Sequence, residues 1–309
     1  MTNPASGEHR FREIILPFIV FTAIWGSTWI VIRDQLGVVP PQWSVTYRFI
    51  LAAAAMAVIA RFKGHKLGLT RGGLGVALFI GVTQFCLNFN AVYLAERHVT
   101  SGVVATVFAL LLIPNSLLAW AFLGQRPGLR FIASAGIAVV GIALMIVHEL
   151  HDSRATTEQI FVGIGLTLFG MLAASSSNVI QAREEARHMP MSVLLAWSMG
   201  IGAAIDAVVA LVVAGPPVFD PRPAYWLGLA YLSLAASALA FSLYFPVVRK
   251  IGPGKAAYSS ALVPIIAMAL STGLEGYRWT LLAGAGAALA LGGMMLALSG
   301  GGKGRTTPR

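Results

Sequence analysis

Residues 14–32 read IILPFIVFTAIWGSTWIVI, a run of 19 residues that contains no Asp, Glu, Lys, Arg or His. An α-helix rises 1.5 Å per residue, so about 20 apolar residues cross the hydrocarbon layer of a membrane. The run follows Arg12 closely, but it is longer than a typical signal-peptide core and no small-x-small cleavage site follows it. We therefore predict a retained transmembrane helix.

Nine further apolar stretches of similar length follow along the chain. Hydrophobic residues make up 57% of the protein and charged residues 11%, whereas soluble domains carry roughly 25% charged residues. Alternating patterns of barrel strands are absent, and lipid favours helices because they satisfy their own backbone hydrogen bonds. The sequence thus predicts an all-α integral membrane protein with ten transmembrane helices. The nine stretches are 43–60, 73–95, 100–123, 129–147, 160–181, 191–214, 224–248, 256–274 and 280–299.

The chain also repeats itself at an offset of 150 residues. Five spans in each half is an odd number, so the second half must insert upside down. We predict two inverted five-helix repeats, residues 1–150 and 151–309, with a short basic cytoplasmic tail from about residue 300. Secondary transporters are often built this way, with the substrate site between the halves near mid-membrane. Ser27, Arg33, Pro40, Pro114 and Gly136 are matched by Ser177, Arg183, Pro190, Pro264 and Gly286.

Basic residues fall mainly on one side of this arrangement. With a cytoplasmic N-terminus, sixteen Lys and Arg residues lie in cytoplasmic segments, five lie in exterior loops, and Arg48 lies within a span. The positive-inside rule then predicts that both termini are cytoplasmic. We expect a multi-pass protein of a bacterial-type inner membrane. The net charge of +10 is scattered over short loops, which argues against nucleic-acid binding.

Several motifs resemble EamA-type carriers of the drug/metabolite transporter superfamily. The resemblance extends over roughly residues 14–299 and implies a ten-helix carrier, usually an exporter of amino acids or related metabolites. The glutamate that such carriers have after the fourth helix of a repeat is present as Glu275 but is replaced by Gln125 in the first copy. The motifs are Trp25-Gly26-Ser27-Thr28-Trp29, Arg48-Phe49, Ser101-Gly102 through Pro114 to Gly124-Gln125 and Gly136, and the second copy through Gly254, Pro264, Leu274-Glu275 and Gly286.

Two ionisable residues lie well inside predicted spans, where a charge costs roughly 2.5–3.5 kcal/mol. Arg48 either extends outward and anchors its helix or grips a substrate carboxylate. Asp206 is a candidate for proton coupling if desolvation favours its protonated form, or it pairs with Arg48 or a serine for structural reasons. The sequence alone does not bring these two helices into contact.

Neutral polar residues recur on the helices predicted to line a cavity. Gln84 and Asn88 share one helix face, as do Ser177 and Gln181. Such residues either join helices by modest hydrogen bonds or bind a zwitterion through their dipoles, and aromatic residues could form apolar or cation-binding walls or anchor the interface. With Arg48, the candidate substrate-binding residues are Trp25, Ser27, Thr28, Gln84, Asn88, Tyr93, Asn115, Ser177, Asn178, Gln181, Trp197, Tyr244, Ser259 and Ser260.

Two prolines occupy equivalent positions in the halves. Proline within a helix removes a hydrogen bond and produces a kink, so Pro114 and Pro264 are candidate gate hinges; a static kink that shapes the cavity is the alternative. Spans five and ten carry small residues at four-residue steps, which predicts close packing and a scaffold role. These are Ser134 and Ala138 in span five, and Gly284, Ala288 and Gly292 in span ten.

The remaining features limit other chemistry. The single Cys86 excludes an intrachain disulfide, the histidines lie in loops or at span ends, and no nucleotide-binding motif occurs. We therefore predict a non-enzymatic secondary carrier without cofactor or metal. It lies in the lipid bilayer and moves a small-molecule substrate by alternating access. Proton coupling and a homodimer are left open. The alternatives are a membrane-embedded enzyme or flippase for lipid-linked intermediates and a passive facilitator.

Overall fold

The computed structural model describes residues 11–152, 155–256, 259 and 262–299. Within these residues the chain forms ten helices of at least ten residues, two single-turn helices (Glu184–Arg187 and Pro253–Ala256), and no strand. The long helices are α1 (Phe11–Asp34), α2 (Pro41–Phe62), α3 (Arg71–Ala95), α4 (Ser101–Leu123), α5 (Leu129–Asp152), α6 (Thr157–Gln181), α7 (Met191–Ala214), α8 (Pro223–Ile251), α9 (Val263–Leu274) and α10 (Leu281–Ser299).

Eight of these helices, α1 to α8, are long and apolar enough to cross a membrane. This confirms an all-helical membrane protein among the described residues. Helix α9 has 12 residues and begins at Val263, inside the predicted ninth span of 256–274. Pro264 consequently lies in the first turn of α9, where its missing N–H removes no helical hydrogen bond.

Local sequence sets several helix ends. Pro41 and Pro223 open α2 and α8, positions at which the fixed φ of proline suits the first turn. Thr156 and Gln159 form a capping box at the start of α6, each side chain bonding the backbone N–H of the other. Gly124 ends α4 with φ +68, in the left-handed region that glycine adopts without a steric penalty.

Helix packing relates the two halves of the chain. Helices α2 and α7 pack together, as do α5 and α10, and each of these pairs joins helices at equivalent positions of the two halves. Helix α1 packs on α8 and α9, and its counterpart α6 packs in the same way on α3 and α4. The start of α1 lies beside Lys250 through Glu13, whereas α6 has Gly163 of its second turn beside His98, so α1 and α6 begin at opposite ends of the molecule.

The loops accordingly gather at two ends, which we name by an arginine in each. At the Arg33 end, Arg33 donates to the carbonyl oxygens of Glu96 and Val99, which lie between α3 and α4. At the Arg249 end, Arg249 donates to Met189 between α6 and α7. The odd-numbered helices run from the Arg249 end to the Arg33 end.

Helices α3 and α8 both widen near their middles. A π-helical segment spans Gly81–Asn88 in α3 and another spans Tyr231–Leu239 in α8, so the two start 150 residues apart. In α4 a 3₁₀ turn at Ala109–Leu111 precedes Pro114, which cannot donate a hydrogen bond to the preceding turn. Such irregular turns often mark functional sites in helices. The segments in α3 and α4 border the cavity described below, and the segment in α8 ends two residues before Phe241, which lines it.

Close packing of α5 on α10 depends on three glycines. A Cβ on Gly141 would lie 2.3 Å from the backbone nitrogen of Ala290, one on Gly286 would lie 2.7 Å from the carbonyl oxygen of Gly141, and one on Gly293 would lie 2.6 Å from the nitrogen of Ala138. The prediction of close packing is confirmed, and Ser134 and Ala138 lie on the contact face of α5. The contact residues predicted for α10 are wrong, because Gly284 and Gly292 have nothing within 4 Å of an added Cβ.

Candidate functional site

A cavity of about 100 Å³ lies between the two halves of the chain. One water molecule needs about 10–15 Å³ on this measure, so the cavity is large enough for a small organic molecule. Its walls come from α1, α2, α3, α4, α6, α8 and the start of α9. The candidates from the sequence that line it are Trp25, Thr28, Arg48, Gln84, Asn88, Asn178, Tyr244 and Ser259.

Arg48 is the cationic group of this cavity. Its side chain is 1% exposed and lies over the ring of Phe89, with 4.5 Å between Cζ and the ring centroid. Nε donates to the hydroxyl of Ser237 at 2.9 Å, and Nη1 donates to the hydroxyl of Tyr93 at 3.4 Å. Among the described residues no carboxylate lies within 4 Å of the guanidinium, so a buried positive charge faces the cavity without a counter-ion.

The sequence left open whether Arg48 pairs with Asp206, and among the described residues no ion pair joins them. Asp206 is fully buried between α7 and α3, where its Oδ1 accepts a hydrogen bond from Asn90 at 2.6 Å. Its second oxygen has no partner within the described chain, and the residue does not line the cavity. A role of Asp206 in proton coupling stays a prediction.

Four polar atoms on residues that line the cavity are buried and have no hydrogen-bond partner among the described residues. They are Nε1 of Trp29 on α1, Oδ1 of Asn88 on α3, Oδ1 of Asn178 on α6 and the hydroxyl of Tyr244 on α8. A buried polar atom without a partner is unfavourable by about 1–3 kcal/mol, and such atoms in a native protein call for an explanation. One donor, two acceptors and one hydroxyl group are thus available to a bound ligand.

Aromatic rings form one wall of the cavity. The rings of Trp25 and Tyr244 meet edge to face with centroids 4.9 Å apart, and Trp25 contacts Phe241 at 5.2 Å in the same manner. The indole N–H of Trp25 donates to the carbonyl oxygen of Ala236 at 3.0 Å, in the π-helical segment of α8. A carbonyl freed from the regular helical pattern therefore holds this wall in place.

Other candidates close the cavity at the Arg249 end. The side-chain amide of Asn178 donates to Oδ1 of Asn115 at 3.3 Å, and Asn115 donates to the carbonyl oxygen of Pro253 at 3.3 Å. The hydroxyl of Tyr244 lies near both asparagines without a well-aligned hydrogen bond. Gln181 accepts from Nε of Arg249 at 3.1 Å. Asn115 and Gln181 thus belong to the closure at this end and do not line the cavity.

The remaining candidates lie elsewhere. The hydroxyl of Ser27 bonds the hydroxyl of Tyr231 at 2.7 Å, and Ser177 is buried without a partner in the described chain. Trp197 is 40% exposed and donates to the carbonyl oxygen of Leu67. Tyr93 touches the cavity only through Arg48. Ser260 lies outside the described residues, and neither Pro114 nor Pro264 lines the cavity.

Sequence reasoning missed much of the apolar lining. Phe89, Val92, Phe108, Phe241 and Val263 border the cavity, but apolar residues surround every helix of a membrane protein and do not distinguish a lining face from a lipid-facing one. Ser237, the partner of Arg48, carried a usable signal because it is a polar residue in the middle of span eight.

Comparison with known proteins identifies the family. The sequence model of the EamA-like transporter family matches the chain twice, over residues 13–147 and 161–299. The chain belongs to this family. It is therefore a multi-pass transporter of the inner membrane, as the resemblance and the composition predicted.

Its relatives carry transporter names. Protein PagO of Salmonella typhimurium is 24% identical over 87% of both chains. The uncharacterized inner membrane transporter YedA of Escherichia coli K12 is 28% identical over 86% of this chain and 85% of its own. A Salmonella typhimurium protein named "Probable amino-acid metabolite efflux pump" is 24% identical over 91% and 93%. One solved crystal structure has a TM-score of 0.70, covers 91% of this chain and 95% of its own, and at 17% identity establishes the fold alone.

Proposed function

We propose that this EamA-family transporter is a ten-span secondary carrier of two inverted five-helix repeats, with both termini cytoplasmic and the Arg33 end at the exterior. The double match to the family supports two repeats, as do the π-helical segments that start 150 residues apart. The opposite starting ends of α1 and α6 support inversion. The excess of basic residues in the loops of the Arg249 end supports the orientation.

The substrate is a small amino acid or related metabolite that carries a carboxylate. The observation that supports this is Arg48, a buried guanidinium that faces the cavity without a counter-ion. Its Nη2 has no protein partner among the described residues. A substrate carboxylate would neutralise the charge and accept charge-assisted hydrogen bonds from it.

The opposite pole of the substrate meets neutral groups. Oδ1 of Asn88 and Oδ1 of Asn178 are acceptors suited to a substrate ammonium group, and the rings of Trp25 and Tyr244 suit a cation or an apolar side chain. Because no carboxylate lines the cavity in the described residues, an anion or a zwitterion is preferred over a pure cation. An amino acid with an apolar side chain fits this combination.

Transport runs outward by alternating access. The name of the Salmonella efflux pump relative supports the direction. The cavity is closed toward the Arg249 end by Asn115, Asn178 and Pro253, and Pro114 with the adjacent 3₁₀ turn lies between this closure and the cavity lining. Pro114 and Pro264 are proposed as the hinges about which the two closures open in turn, Pro114 within α4 and Pro264 at the junction where α9 begins.

Counterflow in proteoliposomes tests this function. Vesicles that contain the purified protein and a high concentration of one unlabelled amino acid are diluted into the same labelled amino acid, and labelled uptake is followed over time. A carrier gives transient accumulation above the equilibrium level, whereas a passive facilitator gives simple equilibration. Absence of counterflow for every amino acid, together with movement of a labelled lipid-linked precursor, would support the flippase or enzyme alternative.

A further inference from the structure

A polar cluster closes the cavity at the Arg33 end. Nε of Arg33 lies 3.8 Å from Oε1 of Glu275, and Oε2 of Glu275 accepts hydrogen bonds from Ser101 and Ser271, each at 2.5 Å. Arg33 also binds the backbone carbonyl of Glu96. The cluster, which we call the outer gate, joins the ends of α1, α3 and α9 to the start of α4 and consists of Arg33, Glu96, Ser101, Ser271 and Glu275.

The two carboxyl groups of the outer gate have opposite surroundings. Glu275 has two hydroxyl donors and an arginine, which stabilise a carboxylate. Glu96 is 0% exposed, and neither of its carboxyl oxygens has a hydrogen-bond partner among the described residues. A buried carboxylate without donors is strongly unfavourable, and such a group takes up a proton instead. The surroundings of Glu96 in the closed gate therefore favour its neutral, protonated form.

Position on the helix adds to this difference. Glu96 is the C-terminal cap residue of α3, where the partial negative charge of the helix end disfavours another negative charge. Burial and the nearby Glu275 raise the pKa of the Glu96 carboxyl well above its ordinary value, although Arg33 and Arg48 lower it. The ionisable groups that face Glu96 are Arg33 on α1, Arg48 on α2, Tyr93 on its own helix and Glu275 at the end of α9.

The outer gate borders the cavity directly. Ile32, which precedes Arg33, lines the cavity, as does Val92, one helical turn before Glu96. A proton leaving Glu96 thus has a short path into the cavity while the gate is closed to the exterior.

We propose that Glu96 is the proton-binding group that couples the outer gate to transport: the gate closes with a proton on Glu96 and opens after that proton has left. While the closure at the Arg249 end is open, the proton leaves through the cavity to the cytoplasm, and the buried negative charge then destabilises the closed outer gate. The gate opens and releases the substrate outward, and Glu96 takes up a proton from the exterior. One proton enters for each substrate exported. The proposal rests on the proposed carrier function and names its coupling group.

The state of the gate can be measured by thiol labelling. Ala105 lines the cavity one turn below Ser101, so in a Cys86→Ala background Ala105→Cys reports access through the outer gate to a membrane-impermeant thiol reagent added outside intact cells. Val38→Cys, in the exposed loop between α1 and α2, serves as the reference that removes the intrinsic pH dependence of the thiol. The ratio of the two labelling rates is the readout.

Closing the gate binds a proton, so the closed form is favoured at low pH. It loses this advantage as the pH rises from the ordinary pKa of a glutamate toward the raised pKa of Glu96. We expect the labelling ratio to increase about 5-fold or more between pH 5.5 and pH 8.5, since a shift of one pKa unit corresponds to a tenfold change in the equilibrium. Glu96→Gln, which keeps the shape and remains neutral, should give a low ratio at both pH values. An unchanged pH response in Glu96→Gln would overturn the proposal.

A transport measurement separates this proposal from the carrier function itself. An imposed inward proton gradient should increase outward transport by the wild-type protein, and Glu96→Gln should lose this increase. Asp206→Asn changes another buried carboxyl group, the one that the sequence suggested for proton coupling. If Glu96 is the coupling group, this matched variant should keep the increase. Loss in Asp206→Asn with retention in Glu96→Gln would overturn the assignment to Glu96. Absence of wild-type counterflow would instead contradict the carrier function. The labelling experiment would still test whether Glu96 makes closure of the outer gate depend on pH.

Discussion

Arg48→Gln is expected to lower the affinity of the transporter for its carboxylate substrate about 100-fold or more. Removing one member of a buried, hydrogen-bonded charge pair is unfavourable by about 2–5 kcal/mol, and each 1.4 kcal/mol corresponds to a factor of ten. The effect should be this large because Arg48 is buried and no other cationic group lines the cavity in the described residues. Glutamine keeps a hydrogen-bond donor but loses the charge.

Arg48→Lys should retain part of the affinity. The lysine ammonium keeps the positive charge but not the planar fork, which lets arginine bind Ser237 through Nε while other nitrogens face the cavity. The stacking of the guanidinium over Phe89, at 4.5 Å, is also weakened. If the affinity decreases from the wild type to Arg48→Lys and again to Arg48→Gln, both charge and geometry contribute.

Substrate titration in the counterflow assay measures these affinities. Arg61→Gln is the matched control, because Arg61 is an exposed arginine near the other end of the same helix α2, and its replacement should leave the half-saturating concentration unchanged. Thermal unfolding in detergent shows whether each variant is folded. If folded Arg48→Gln transported amino acids with an unchanged half-saturating concentration, Arg48 would only hold α2 to α8 through Ser237.

Single intramembrane polar residues were the best guide to the cavity. Arg48, and the pair Gln84 and Asn88 at four-residue spacing, were predicted as candidates and line one cavity. The prediction was poorer for Ser177 and Trp197, which lie away from it, because spans that are apolar on every face give no amphipathic pattern to orient them. The offset of 150 residues was visible in the sequence, but the π-helical segments at equivalent positions were not.

The sequence did not predict the outer gate, for a different reason. Glu96 follows the predicted span 73–95 directly and is adjacent to Arg97, so it has the appearance of an ordinary loop residue in water. Its burial results from Arg33 and Glu275, which lie 63 positions before it and 179 positions after it. No local spacing relates residues so far apart, and only the packing of α1, α3 and α9 brings them together.

The contact face of α10 shows that a small error in helix register changes which residues are predicted to meet the partner helix. Small residues occur at 283–288, 290, 292 and 293, so composition indicates close packing but fits more than one face of the helix. The face that meets α5 contains Gly286, Ala290 and Gly293, about two residues from the face predicted by four-residue steps. Only the partner helix distinguishes these faces.

Gly141→Ala is therefore expected to destabilise the protein by about 1–3 kcal/mol, the usual penalty of overpacking. The added methyl group would lie 2.3 Å from the nitrogen of Ala290 and 2.5 Å from the carbonyl oxygen of Gly286. Both are backbone atoms, which cannot rotate away as a side chain would, so α5 and α10 must separate. Thermal unfolding in detergent, monitored by size-exclusion chromatography with tryptophan fluorescence, should show a lower midpoint temperature than for the wild type.

Gly136→Ala is the control on the same helix, since nothing lies within 4 Å of an added Cβ there. Alanine is a better helix former than glycine, so this variant should be as stable as the wild type or slightly more stable. On α10 the neighbouring pair repeats the test: Gly293→Ala should destabilise because its Cβ meets the nitrogen of Ala138 at 2.6 Å, whereas Gly292→Ala should not. Equal midpoints within either pair would contradict this register, and the close approach of α5 and α10 would then depend on a different face of the helices.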